Sequence, residues 1–208
     1  MTKKFVKFFS LIISTSSILF SANILLRRFR NFNNSFPSTT GLLLGIGAVS
    51  LGQITVLIYH YICQIVEKFD NSILIQQNKV ITNFKQNIIS HFKSTEIFLL
   101  LFYLIFTWMF KLIPSTYYKM DNVSTNWLHV LQQLILIDFL MYVNHITEHY
   151  YYYPLHKTHH IWTNPVIFNS FNTSIIDVII LIICPLYVTT NLIHANTWTY
   201  MTFGTIYS

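Results

Sequence analysis

The chain has 208 residues, 53% hydrophobic and only 10% charged, with a formal net charge of +6. Soluble domains carry about 25% charged residues, and the mean hydropathy here is +0.48, so composition excludes an ordinary soluble domain and indicates an integral membrane protein. The thirteen Lys and Arg stand singly or flank apolar runs, which excludes a nucleic-acid patch and fits charges that orient a chain in a membrane or meet anionic headgroups.

Five apolar segments follow in chain order, each judged against the roughly 20 residues a span requires. The first is 5–26, preceded by Lys3, Lys4 and Lys7 and followed by Arg27, Arg28 and Arg30. It is too long for a cleaved signal peptide and reads as an uncleaved helix or signal anchor. The second, 41–66, carries Gly41-x-x-x-Gly45 and Ala48-x-x-x-Gly52, small residues at the spacing that lets helices approach closely in lipid. Residues 67–95 are polar and basic and read as a loop holding a short amphipathic helix, with His91 inside it. The third segment, 96–113, stops at Pro114, and the fourth, 127–143, runs into a histidine-rich window. The fifth, 174–193, is expected to break near Pro185. A further apolar stretch begins after His194 and Ala195. Cys63 and Cys184 lie in apolar runs, spell no metal motif or disulfide framework, and read as buried free thiols.

Lysine and arginine bias places the 67–95 loop on the cytosolic side. The histidine window then returns to that same side. One conflict remains in this scheme: if both early segments cross fully, Arg27, Arg28 and Arg30 fall on the far side.

Five of the nine histidines fall within the sixteen residues 145–160, "HITEHYYYYPLHKTHH". At 100° per residue His149 lies about 40° from His145, so the two share a helix face at a spacing that suits one metal. Asp138 and Tyr142 fall on the same stripe. Pro154 fits the first turn of a helix but not its interior, so one helix is expected to end among Tyr150–Tyr153 and another to begin near Pro154, carrying His156, His159 and His160. The four tyrosines suit a water–lipid interface. A zinc protease would place Glu in His-Glu-x-x-His; here Glu148 has another register. Five imidazoles exceed the need of one zinc ion and suit a histidine-rich two-metal site. His60 and His129 read as core histidines within spans, and His194 as a weak candidate ligand.

Asp138-x-x-x-Tyr142-x-x-His145-x-x-x-His149 followed by His156-x-x-His159-His160 resembles the fatty acid hydroxylase/sterol desaturase superfamily. The resemblance divides the chain into an N-terminal membrane-spanning region, 1–120, and a partial hydroxylase-like domain with two histidine boxes, 121–208. It implies a di-iron (Fe) centre on the cytosolic face of an endoplasmic-reticulum-type membrane. Such a centre uses O2 to hydroxylate or desaturate a sterol or fatty acyl lipid, with electrons delivered through cytochrome b5 and a reductase. It also implies that His145, His149, His156, His159 and His160 are metal ligands, with Asp138 and Tyr142 orienting them. The sequence departs from the pattern at Ile146, where relatives carry a basic residue, and at 171–177, where Asn172 stands near an expected histidine and Asp177 near an expected acid. No third histidine box follows residue 160. Five imidazoles do not complete a two-iron ligand set, so the expectation is a fragment, or a site completed by a second polypeptide.

The resulting expectation is an all-α polytopic membrane protein of about 4–6 transmembrane or membrane-embedded helices. Two rivals remain: a non-catalytic membrane protein of the same ancestry, and a single-zinc membrane hydrolase.

Overall fold

The computed structural model describes residues 3–30, 38–69, 84–120, 124–157 and 174–207. Among these the chain is all-helical. In order the elements are α1 (Lys3–Arg30), α2 (Thr39–Phe69), α3 (Phe84–Phe92), α4 (Thr95–Met109), a 3-10 turn (Ser115–Tyr118), α5 (Trp127–Tyr151) and α6 (Tyr153–His156). One continuous helix follows, built from α7 (Ile175–Asp177), a π-helical segment (Val178–Ile183) and α8 (Cys184–Leu192), and the last helix is α9 (Thr197–Tyr207). Four stretches are long and apolar enough to cross a membrane: Lys4–Arg28, Thr39–Cys63, Trp127–Tyr151 and Ile175–Leu192. Leu19, Leu43, Phe98 and Leu128 are 62–69% exposed, a surface suited to lipid and not to water. The protein is a multi-pass membrane protein.

The third expected span is the exception. Its helix ends at Met109 and not at Ile113, and its apolar part, Ile97–Met109, measures about 20 Å at 1.5 Å per residue, short of a bilayer core of about 30 Å. The stop is a Schellman cap. Lys111 N donates to Trp108 O at 3.2 Å and Leu112 N to Thr107 O at 2.8 Å, the paired bonds that close a helix C-terminus. Lys111 takes φ 52° there, a left-handed position where glycine is usual.

Cross-bonds fix the directions of the helices. Lys7 of α1 lies over the Tyr150 and Tyr151 rings of α5, at 5.8 and 4.7 Å, and Arg28 donates to Asn191 Oδ1 at the end of α8 at 2.8 Å. Thus α1 runs parallel to α8 and antiparallel to α5. Both early segments run the length of the bundle, so Lys7 and Arg28 stand at opposite ends. Ser10, Ser14, Ser17 and Ser21 are buried along α1; their small side chains let neighbouring helices approach closely.

Gly41 and Gly45 do the same for α2 against α4. A Cβ on Gly41 would lie 2.3 Å from Trp108 O, and one on Gly45 would lie 3.1 Å from Ile105 Cα. The second small pair, Ala48 and Gly52, lines an open cleft instead. Around Trp108, Tyr117, Tyr200 and Phe203 the two halves of the sequence share one core. Tyr117 Oη donates to Ile193 O and accepts from Gln133 Nε2 at 2.9 Å.

The helix through Pro185 does not break. Cys184 N donates to Ile179 O, five residues back, so the chain is widened just ahead of the proline. In this register residue 185 should donate to Ile180 O, but proline has no N–H. Asn144 of α5 supplies the donor, with Nδ2 2.6 Å from Ile180 O.

Candidate functional site

Asn126 Oδ1 accepts from His129 N at 3.2 Å and so caps α5. From there a single helix runs 25 residues into the histidine window. It ends at Tyr151, and a second helix begins at Tyr153 with Pro154 in its first turn, as the proline requires. His145 and His149 lie on one face, their Nε2 atoms 3.1 Å apart and their rings edge-on with centroids 4.7 Å apart. His156 closes α6, whose backbone packs against α5 and α7. His159, His160 and Asn172 lie outside the described residues. Tyr150–Tyr153 are all exposed, as expected of interfacial rings.

Asp138, Tyr142 and His145 line one side of an apolar cleft of about 620 Å³. Ala48 and Gly52 of α2, Leu100 and Leu104 of α4, and Leu181 and Ile182 of the π segment supply much of the rest. Met201, Phe203 and Gly204 come from α9. The size falls in the range of about 300–1,000 Å³ typical of small-molecule sites. Asp138 and Tyr142 are exposed side chains. Asp138 stands two turns before His145, about 10 Å along the axis.

The packed face of α5 carries chemistry that the histidine stripe obscures. Asn144, Thr147 and Glu148 are 0–2% exposed, and Asp177 of α7 is 1% exposed. The Glu148 and Asp177 carboxyls are close enough to act on each other electrostatically. Two acids buried side by side require a shared proton or a nearby positive charge. Asp177 also lines the cleft, and Ser174 Oγ caps its helix by accepting from Asp177 N at 3.2 Å. The available signal was the run Leu140, Asn144, Thr147, Glu148, a helical stripe in which polar residues face the bundle.

Three histidine expectations change. His194 lies at the far end of the bundle: it follows the continuous helix that begins with α7, and Asp177 is about 25 Å away along it. His129 sits partly exposed in the first turn of α5, outside the core. His91, expected in a polar loop, is 1% exposed, because α3 folds it onto α2, where its Nε2–H donates to Gln53 Oε1 at 2.8 Å. Burial, and then the charge of His60, lower its pKa to about 4. His60 is itself buried, as the sequence indicated. Cys184 is buried and Cys63 half-buried, both as free thiols.

Among the described residues no group of three or more His, Cys, Asp or Glu is placed to hold one metal ion. The His145–His149 pair nevertheless fits metal binding. Two imidazole nitrogens on one ion, with bonds of about 2.1 Å near a right angle, would stand about 3 Å apart.

Over 183 aligned residues the chain is 38% identical to the alternative squalene epoxidase of Phaeodactylum tricornutum (strain CCAP 1055/1), an alignment covering 85% of this chain and 52% of that protein. The chain thus spans about half the length of the curated relative it matches. No family model matches it, and neither does any solved structure.

Proposed function

We propose that this chain carries part of the active centre of a membrane lipid oxidoreductase, one that puts oxygen from O2 into an apolar isoprenoid or sterol-type hydrocarbon. The observation that carries the reading is the His145–His149 pair, Nε2 atoms 3.1 Å apart, with His145 at the polar side of a 620 Å³ apolar cleft. The similarity to a protein named for squalene epoxidation supports the substrate class. It also supports an oxygen-inserting reaction in place of the desaturation that the histidine pattern alone leaves open.

In this reading His145, His149, His156, His159 and His160 contribute to a di-iron centre. Iron would supply O2 activation, and the remaining ligands would come from outside these 208 residues, in the same or a second polypeptide. The net reaction for an alkene is alkene + O2 + 2 electrons + 2 protons → epoxide + water. Electrons would come from a cytochrome b5-type donor through a reductase at the histidine end, which lysine bias assigns to the cytosolic face. The chain's own residues do the positioning. Ala48, Gly52 and Gly204 leave the cleft wall smooth, while Leu100, Leu104 and Phe203 hold alkyl chain and exclude water. Asp177, which lines the same cleft as His145, would place negative charge beside a bound cationic centre.

The test is metal content. The full chain, expressed with iron supplementation and purified in detergent, is expected to hold iron that His145→Ala and His149→Ala each reduce at least several-fold. Absence of iron both from the isolated chain and from the chain co-purified with a polypeptide that supplies the remaining ligands sinks the proposal, and one zinc per chain with no iron favours a hydrolase. With iron bound, 18O2 labelling of squalene-derived product in membranes that also hold the missing half tests the oxygen insertion.

A further inference from the structure

A second cavity, of about 550 Å³, lies at the other end of the bundle, lined by Arg28, Lys111, Ile113, Pro114, Ser115, Thr116, Tyr118 and His194. Three separate chain segments converge there: the end of α1, the segment after α4 and His194 after α8. The lining holds two permanent positive charges, an imidazole and three hydroxyls, and no carboxylate. From this we infer that it is a binding site for a phosphate ester, distinct from the histidine end and independent of the function proposed above.

Arg28 and the His194 ring are held in place. Asn191 is 8% exposed and organises two of the lining groups. Its Oδ1 accepts from Arg28 at 2.8 Å, its main-chain oxygen accepts from the His194 ring at 3.1 Å, and its own Nδ2 is fixed on Tyr187 O at 2.8 Å. The remaining Arg28 donors form a planar fork suited to phosphate oxygens. Lys111 occupies the left-handed cap position. Glycine would close that cap without strain, so a lysine there carries a conformational cost and brings a positive charge to the cavity.

The depth selects the ligand. Arg28 ends the Lys4–Arg28 span, and Asn191 and Leu192 end the Ile175–Leu192 span. The cavity therefore lies at headgroup level, where basic pockets between helices take lipid phosphates.

The test uses the purified full chain in detergent and two probes, phosphatidic acid doped into the micelles and inorganic phosphate alone, each followed by 31P NMR. Saturable phosphatidic acid binding, weakened roughly tenfold, or about 1.4 kcal/mol, by Arg28→Gln and by Lys111→Gly, is the expected result. Failure of inorganic phosphate to compete identifies a lipid source, and competition by it identifies a free phosphate compound. Lys111→Gly relieves the left-handed strain, so it should unfold at the same or a higher temperature and its loss of binding is not a folding defect. Binding of neither probe, or binding indifferent to both substitutions, overturns the inference.

Discussion

Asn144 and Pro185 offer a sharp test of how the cleft wall is built. Pro185 leaves Ile180 O without its donor from the widened turn, and Asn144 Nδ2 takes that role at 2.6 Å. Asn144 is fully buried, so Asn144→Leu leaves a buried carbonyl unsatisfied, at a cost of about 1–3 kcal/mol. For a chain of this size each kcal/mol corresponds to about 2–4 °C in Tm, so a fall of roughly 2–12 °C is expected. Pro185→Ala returns an N–H at residue 185, which can satisfy Ile180 O from within the helix. In that background Asn144→Leu should cost at least about 1 kcal/mol less, a non-additivity within the range measured for contacting residues. The assay is a double-mutant cycle read by thermal unfolding in detergent, followed by circular dichroism. If the two substitutions add within about 0.5 kcal/mol, Asn144 does not stand in for the missing proline N–H, and the account of the π segment fails. Because Asp177, Leu181 and Ile182 of this helix line the cleft, Asn144→Leu should also weaken apolar ligand binding.

Three other outcomes follow from the same geometry. Gly41→Ala must push α2 off Trp108 O and should cost about 1–3 kcal/mol, whereas Gly47→Ala meets nothing within 4 Å and should gain up to about 1 kcal/mol of helix propensity; equal Tm shifts would falsify the α2–α4 contact. Gly204→Leu projects into the cleft, since a Cβ there also meets nothing within 4 Å, and should reduce retention of a hydrocarbon probe at least several-fold with Tm unchanged; unaltered retention would show that the cleft is not the binding site. His91 is held neutral with a pKa of about 4, below the unperturbed value of about 6.5. Proton uptake therefore favours the undocked state, and the stabilisation of α3 is full above about pH 6.5 and lost as pH falls toward 4, by about 2 kcal/mol at pH 5. Hydrogen exchange over 84–92, corrected for intrinsic rates, should accelerate between pH 7.5 and 5; an effect that persists in His91→Phe would assign it elsewhere.

The sequence by itself determined the class of this protein and the two parts of its histidine window. Apolar run length defines membrane helices because backbone groups in lipid must bond within the helix, so 5–26, 41–66, 127–143 and 174–193 all lie in helices that can cross. Proline chemistry is equally local, which is why the helix end at Tyr151 and the restart at Tyr153 were legible from Pro154. The His145–His149 pairing needed only the helical repeat.

What the tertiary structure decided is everything that depends on which faces meet. Hydropathy could not shorten the third segment, because Leu112 and Ile113 are apolar but belong to a cap and turn packed against the bundle. It placed His91 in a loop because burial there comes from α3 folding onto Gln53. It left His194 near the site because distance along the chain carries no information about which end of a bundle a residue occupies. The two small-residue pairs on α2 look alike in sequence, yet one closes a helix contact and the other opens the cleft. That outcome rests on what α4 and α9 present opposite each pair, and only packing brings those surfaces together.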